Sequence, residues 1–154
     1  MSLSASSRPI ALPDLAATEA LAARLAGLAR AGDAILLEGP LGAGKSAFAR
    51  AFLRAASGDP ALEVPSPTFT LVQEYDTCLG PVHHFDLWRL EGPDGLLELG
   101  WEEACDGIVL VEWPDRLGHL RPADALTLAL EAGETPDARR ARLSWDDARL
   151  GGLA

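Results

Sequence analysis

"AILLEGPLGAGKSAFARAFLRAA", residues 34–56, decides how the rest of the chain is read. "AILLE" (34–38) is a short apolar run that reads as a buried central strand. "KSAFARAFLRAA" (45–56) reads as a helix with Phe48, Ala51, Phe52 and Ala55 along one side. Between them, Gly39-Pro40-Leu41-Gly42-Ala43-Gly44-Lys45-Ser46 fits the pattern G-x-x-x-x-G-K-[ST]. Glycines let the backbone turn tightly, so that successive N–H groups point inward at phosphate oxygens. The helix that starts here adds the positive end of its dipole. Lys45 is the only lysine among 13 basic residues, and it stands where such a loop needs one. The candidate nucleotide-binding residues are therefore Gly39, Leu41, Gly42, Ala43, Gly44, Lys45, Ser46 and Ala47, with Lys45 reaching the β- and γ-phosphates and the Ser46 hydroxyl serving Mg²⁺.

Hydrolysis also requires carboxylates near the cation and the attacking water. Glu112 follows the apolar run "IVLV", as expected of a strand that delivers an acid beside the glycine loop; Asp86 follows "VHHF". Either acid could instead cap its strand or pair with an arginine. "SPTFT" (66–70) is a loop stiffened by Pro65 and Pro67 that presents the hydroxyls of Ser66, Thr68 and Thr70, and it could close on a γ-phosphate and relax after its loss.

The flanking sequence supplies the remaining elements. "RPIALP" (8–13) is a strand candidate, and residues 14–33 read as a helix with Asp14 as N-cap, Gly32 as its stop and Leu21, Leu25 and Leu28 at helical spacing. "FTLVQEY" (69–75) and "VHHFDLW" (82–88) read as strands, residues 92–106 as short helical pieces, and "GIVLVEW" (107–113) as a second apolar strand. "ALTLALE" (125–131) and "ARLSW" (141–145) alternate and predict an antiparallel hairpin, with Arg140 and Arg142 outward and able to pair with Glu131. The expected fold is α/β: a single-domain P-loop NTPase fold over residues 1–145, with a mixed sheet, a parallel core, antiparallel hairpins and flanking helices, followed by a loose C-terminal tail at 146–154.

Net charge is −10 and the pI about 4.6, so the surface repels a phosphate backbone and any contact with nucleic acid is expected to go through a partner. Cys78 and Cys105 form no CxxC pair, which suits a reducing cytoplasm. No run approaches a membrane span, and Pro9 and Pro13 interrupt the N-terminal stretch, which reads as neither signal nor anchor. His83 and His84 match no zinc spacing together with Cys78, and alternation points the two rings to opposite faces of a strand. Trp88, Trp101 and Trp145 read as packing residues, whereas Trp113, next to Glu112, either lines the nucleotide site or packs.

The order "GPLGAGKS", "SPTFTLVQEY", "HFDLWRL", "ELGWEEACDGIVLVEWPDRLG" resembles the bacterial TsaE family, over about residues 10–145. That family is the small P-loop ATPase of threonylcarbamoyladenosine synthesis at position 37 of tRNA. The resemblance implies ATP and Mg²⁺ as ligands and a cytoplasmic protein. It implies that Lys45, Asp86 and Glu112 are catalytic, that Ser46 and Glu112 lie on the metal side, and that Thr68 and Trp113 join the nucleotide site. It further implies docking on a heterodimer of the threonylcarbamoyl transferase (TsaD-like) and its paralogue (TsaB-like), with tRNA touched only indirectly. Three residues depart from the family pattern: Pro40 replaces an acid, Ser46 a threonine and Trp88 a tyrosine. A small-molecule kinase is the main alternative, and Arg116 and Arg121 could contribute to its acceptor site, but no long lid-like insertion is visible. A nucleotide-sensing adaptor that never hydrolyses is the third. Guanine recognition by N-K-x-D needs a lysine outside the glycine loop, which the chain lacks.

Overall fold

The computed structural model describes residues 5–40, 42–65 and 70–153. Strand β1 (Ala5–Leu12) is followed by helix α1 (Leu15–Leu28), strand β2 (Ala34–Glu38) and helix α2 (Lys45–Ser57). Strands β3 (Val72–Thr77) and β4 (Gly80–Asp86) come next, then a 3₁₀ segment (Pro93–Leu99), the short helix α3 (Trp101–Ala104) and strand β5 (Ile108–Glu112). A second 3₁₀ segment (Pro114–Leu120), strands β6 (Leu126–Ala132) and β7 (Arg139–Asp146), helix α4 (Asp147–Leu150) and a last 3₁₀ turn (Gly151–Leu153) complete the described chain.

All seven strands form one sheet in the order β1-β7-β6-β2-β5-β4-β3. The four central strands, β6, β2, β5 and β4, run parallel, and the outer pairings β1–β7, β7–β6 and β4–β3 are antiparallel. The expected mixed sheet with a parallel core and antiparallel hairpins is what is found. β2 lies between β5 and β6, so Ile35, Leu36 and Leu37 are buried on both faces, which is why the strand reads as an uninterrupted apolar run.

One face of the sheet carries α1 and α2, whose Leu21, Leu25, Phe48 and Phe52 pack on Leu37, Leu110, Leu128 and Leu143. The other face is covered over β2, β5 and β4 by the 3₁₀ segments and α3, through Leu96, Trp101 and Leu117 against Leu36, Phe85 and Val111. Asp14 caps α1 as expected, its Oδ1 accepting from the Ala17 N–H at 2.8 Å. The helix stops at Leu28, short of Gly32: Ala29 is already extended, and Gly32, at φ +95°, forms the turn into β2 while its N–H donates to Gly107 O at 2.8 Å. Arg140 pairs with Glu131 across the β6–β7 ladder at 3.1 Å, as alternation predicted.

The tail differs from the expectation of a loose end. Asp146 caps α4 by accepting from the Ala148 and Arg149 N–H groups, and Leu150 and Leu153 are buried in the main core. Arg149 donates to both carboxylate oxygens of Asp33 (3.0 and 2.7 Å) and to Leu28 O (3.0 Å), and lies 4.2 Å over the Trp145 ring. Polar composition hid two apolar anchors and one half-buried ion pair. β3 likewise starts at Val72 instead of residue 69: Leu71 is left-handed at φ +69°, and residues 66–69 lie outside the described part. Among the described residues no helix is long and apolar enough to cross a membrane.

Candidate phosphate-binding site

The glycine loop links the C-terminal end of β2 to the first turn of α2. Gly39, Gly42 and Gly44 have φ values of +140°, +82° and +104°, a backbone region that L side chains avoid. Gly39 is constrained by space as well, since a Cβ there would lie 2.3 Å from Leu130 O on β6. Ala43 is buried, and its N–H closes a turn onto Pro40 O at 3.1 Å. Gly44 is the N-cap of α2 and offers no side-chain cap for the first N–H groups of the helix. Ser46 is exposed in that turn, followed by half-buried Ala47. Leu41 lies outside the described residues.

Lys45 begins α2 and folds back over the loop. Its Nζ donates to Gly39 O and sits 3.4 Å from the centroid of the Trp113 ring. Burial pushes its pKa below the ordinary 10.5, against the opposing pull of Glu112, Asp86 and Asp115. A buried ammonium with this little hydrogen bonding is poised to gain from an incoming anion.

The two acids come from neighbouring parallel strands that end together, Asp86 on β4 standing in register with Glu112 on β5. Both side chains point to the α2 face, and both are buried, at 7% and 3% exposure. Glu112 Oε1 accepts from the Ser46 hydroxyl at 3.1 Å, although 66 residues separate them in the chain. Its Oε2 lies 2.7 Å from His84 Nε2. Asp86 Oδ1 accepts from the Trp88 N–H at 3.1 Å. His84 is the residue that sequence reasoning missed. The signal was available: strand alternation puts residues 82, 84 and 86 on one face, so the face of Asp86 is also that of His84. His83 points the other way, toward Phe85, with Glu74 at 3.6 Å.

Trp113 directly follows Glu112 in the left-handed region (φ +61°, ψ +54°), which turns its indole back over Lys45. Trp88, expected to be packed in the core or a hairpin, is instead 49% exposed and lies against the Trp113 ring with centroids 4.5 Å apart. A shallow cleft beside the loop is lined by Glu38, Gly39, Pro40, Trp113, Pro114 and Asp115. On the other side, Arg139 at the start of β7 lies against Gly44, with its Nε 3.2 Å from the position of a Cβ there.

The structure thus gathers Lys45, Ser46, Asp86, Glu112 and Trp113 around one loop; Thr68, with the rest of 66–69, lies outside the described residues. Among the described residues no group of three or more His, Cys, Asp or Glu side chains could hold a metal alone. Ser46 and Glu112 are the two donors beside the loop that could serve a Mg²⁺ ion, which keeps few protein ligands and takes the rest from phosphates and water.

A model of the family described as threonylcarbamoyl adenosine biosynthesis protein TsaE matches residues 12–141, most of the chain. The chain belongs to the TsaE family. Among curated members, the tRNA threonylcarbamoyladenosine biosynthesis protein TsaE of Rickettsia felis is 39% identical over 115 residues, 74% of this chain and 67% of that one. The Bacillus subtilis TsaE is 36% identical over 116 residues, covering 74% and 71% of the two chains. The match covers 61% of the TsaE of Rickettsia prowazekii, so the chain spans about two thirds of the length of several relatives. The crystal structure of YdiB from Bacillus subtilis superposes with a TM-score of 0.73 at 28% identity, covering 99% of this chain and 94% of that one.

Proposed function

We propose that this TsaE-family chain binds and hydrolyses Mg-ATP, and that the hydrolysis drives turnover of the assembly that makes threonylcarbamoyladenosine on tRNA. The observation that carries the reading is the contact between Ser46 and Glu112, beside Lys45 at an uncapped helix N-terminus. A glycine turn in an ordinary loop has no reason to face two buried carboxylates and a half-desolvated lysine.

In this reading the N–H groups of the loop and of the first turn of α2 hold the β-phosphate region, and Lys45 moves from Gly39 O and the Trp113 ring to phosphate oxygens. Ser46 and Glu112 hold the cation, which neutralises charge on the phosphates when bound. Asp86, on the same face, orients the attacking water in this reading. The Trp113 indole walls the site off from solvent. Docking on a heterodimer of the TsaD-like transferase and its TsaB-like paralogue accounts for how a chain of net charge −10, which repels a phosphate backbone overall, serves a tRNA. A protein of this kind works in the cytoplasm.

The experiment is Mg-ATP hydrolysis by the chain alone, then with the heterodimer and tRNA, with Glu112→Ala alongside. Slow turnover alone and a Glu112-dependent rise in the mixture are expected. If the heterodimer changed nothing while phosphate moved to a metabolite instead, the kinase reading would replace this one.

A further inference from the structure

We infer that His84 is a positioning residue: it locks the Glu112 carboxylate, and through it the Ser46 hydroxyl, in the orientation that receives the cation. The inference rests on the nucleotide-binding reading above and assigns a role to a residue which that reading leaves out.

His84 is 2% exposed and stands on the α2 face of β4, in register with Leu110 on β5. Its Nε2 is 2.7 Å from Glu112 Oε2, and its buried Nδ1 has no hydrogen-bond partner among the described residues. An ionised carboxylate only accepts, so Nε2 carries the proton and donates it. A histidine present only to fill volume would leave both nitrogens unpaired; here one is committed to Glu112.

The consequence runs along a short chain of donors and acceptors. A glutamate has three rotatable bonds, and a surface serine alone would hold Glu112 weakly. With Oε2 held by His84, Oε1 stays within 3.1 Å of Ser46 Oγ and accepts its proton. The Ser46 proton is thereby committed to Glu112, which leaves the hydroxyl lone pairs open to a cation lying beside both groups. An outer hydrogen bond that fixes a ligating carboxylate typically contributes about 10–100-fold to metal affinity.

The test separates reach from packing. Gln places an amide N–H near the position of Nε2, whereas Asn is too short to reach Glu112. Mn²⁺ binding in the presence of ADP, read by electron paramagnetic resonance, should be within about threefold of wild type for His84→Gln and at least about tenfold weaker for His84→Asn. Affinity for a fluorescent ADP analogue in EDTA should be unchanged within about twofold in both, since the loop N–H groups do not depend on His84. Without any variant, the ¹⁵N spectrum of the wild-type imidazole should show the Nε2-protonated ring, and Mn²⁺ with ADP should broaden it. Wild-type Mn²⁺ affinity in His84→Asn, equal losses in both variants, or an unbroadened His84 resonance would overturn the inference. A wild-type chain that bound no ADP even in EDTA would instead overturn the nucleotide-binding reading, and this inference with it.

Discussion

Asp86 and Glu112 stand opposite each other at the ends of adjacent parallel strands, yet only Glu112 touches Ser46. Two acids on one face with different partners are equipped for different tasks, so their replacements should fail differently. Glu112→Gln should weaken Mg²⁺-dependent nucleotide binding about tenfold or more while sparing binding in EDTA. Asp86→Asn should leave Mg-nucleotide affinity within a few-fold and lower turnover by about 100-fold or more. Binding titrations beside single-turnover hydrolysis would show the split; identical profiles would mean that the two carboxylates act as one unit.

Lys45 gives a pH dependence of determinate sign. Its folded pKa lies below 10.5, so between that lowered value and 10.5 the unfolded chain holds more protons than the folded one. Stability contributed by this group therefore rises with pH across that window. Burial raises the pKa of Tyr75, and burial followed by the Asp106 charge raises that of Cys105; both act in the opposite direction at alkaline pH. The difference between wild type and Lys45→Met isolates the lysine: urea unfolding should show wild type gaining on the variant as pH climbs toward 10.5.

The loop glycines should not be equivalent. At Gly39 any side chain meets Leu130 O, and Gly39→Ala should cost about 2 kcal/mol or more, among the larger effects of a single substitution. At Gly42 nothing lies within 4 Å, so only backbone conformation opposes a side chain. Gly42→Asn, which tolerates the left-handed region, should cost no more than about 1 kcal/mol. Chemical denaturation of the two variants decides it.

Removing Arg149 leaves Asp33 with a carboxylate of 13% exposure and no counter-charge, and strips the cover from Trp145. Arg149→Ala should cost roughly 2–4 kcal/mol, and truncation after Asp146 more, because Leu150 and Leu153 leave the core as well. A truncated chain with an unchanged melting temperature would show that the last helical turns contribute nothing.

Much of this was legible in the residues. "AILLE" falls on β2 residue for residue because a central parallel strand must be apolar on both faces, and Asp14 is both the predicted and the actual cap. The β6–β7 hairpin follows from its alternation. What could not be read was strand order. Ser46 meets Glu112 only because β5 lies beside β2 in the sheet, and no local pattern states which strands are neighbours. His84 was hidden by the company it keeps in sequence: next to His83 and near Cys78 it invited a metal question, while its partner lay on another strand. Trp88 was misread because aromatic residues usually signal core, and its exposure is set by the turn after β4.

Leu71 and Trp113 are the bulky residues held at positive φ among the described part of the chain. Left-handed backbone at such residues costs on the order of 1–3 kcal/mol each. Leu71 O receives the Asp86 N–H at 3.0 Å, and Trp113 directly follows Glu112. Glycine would relieve the backbone at either place, but at 113 it would also remove a ring packed against the core, Trp88 and Lys45. Strain is thus held beside both acids, and a redesign that removed it would act where a robust but idle protein is the foreseeable product.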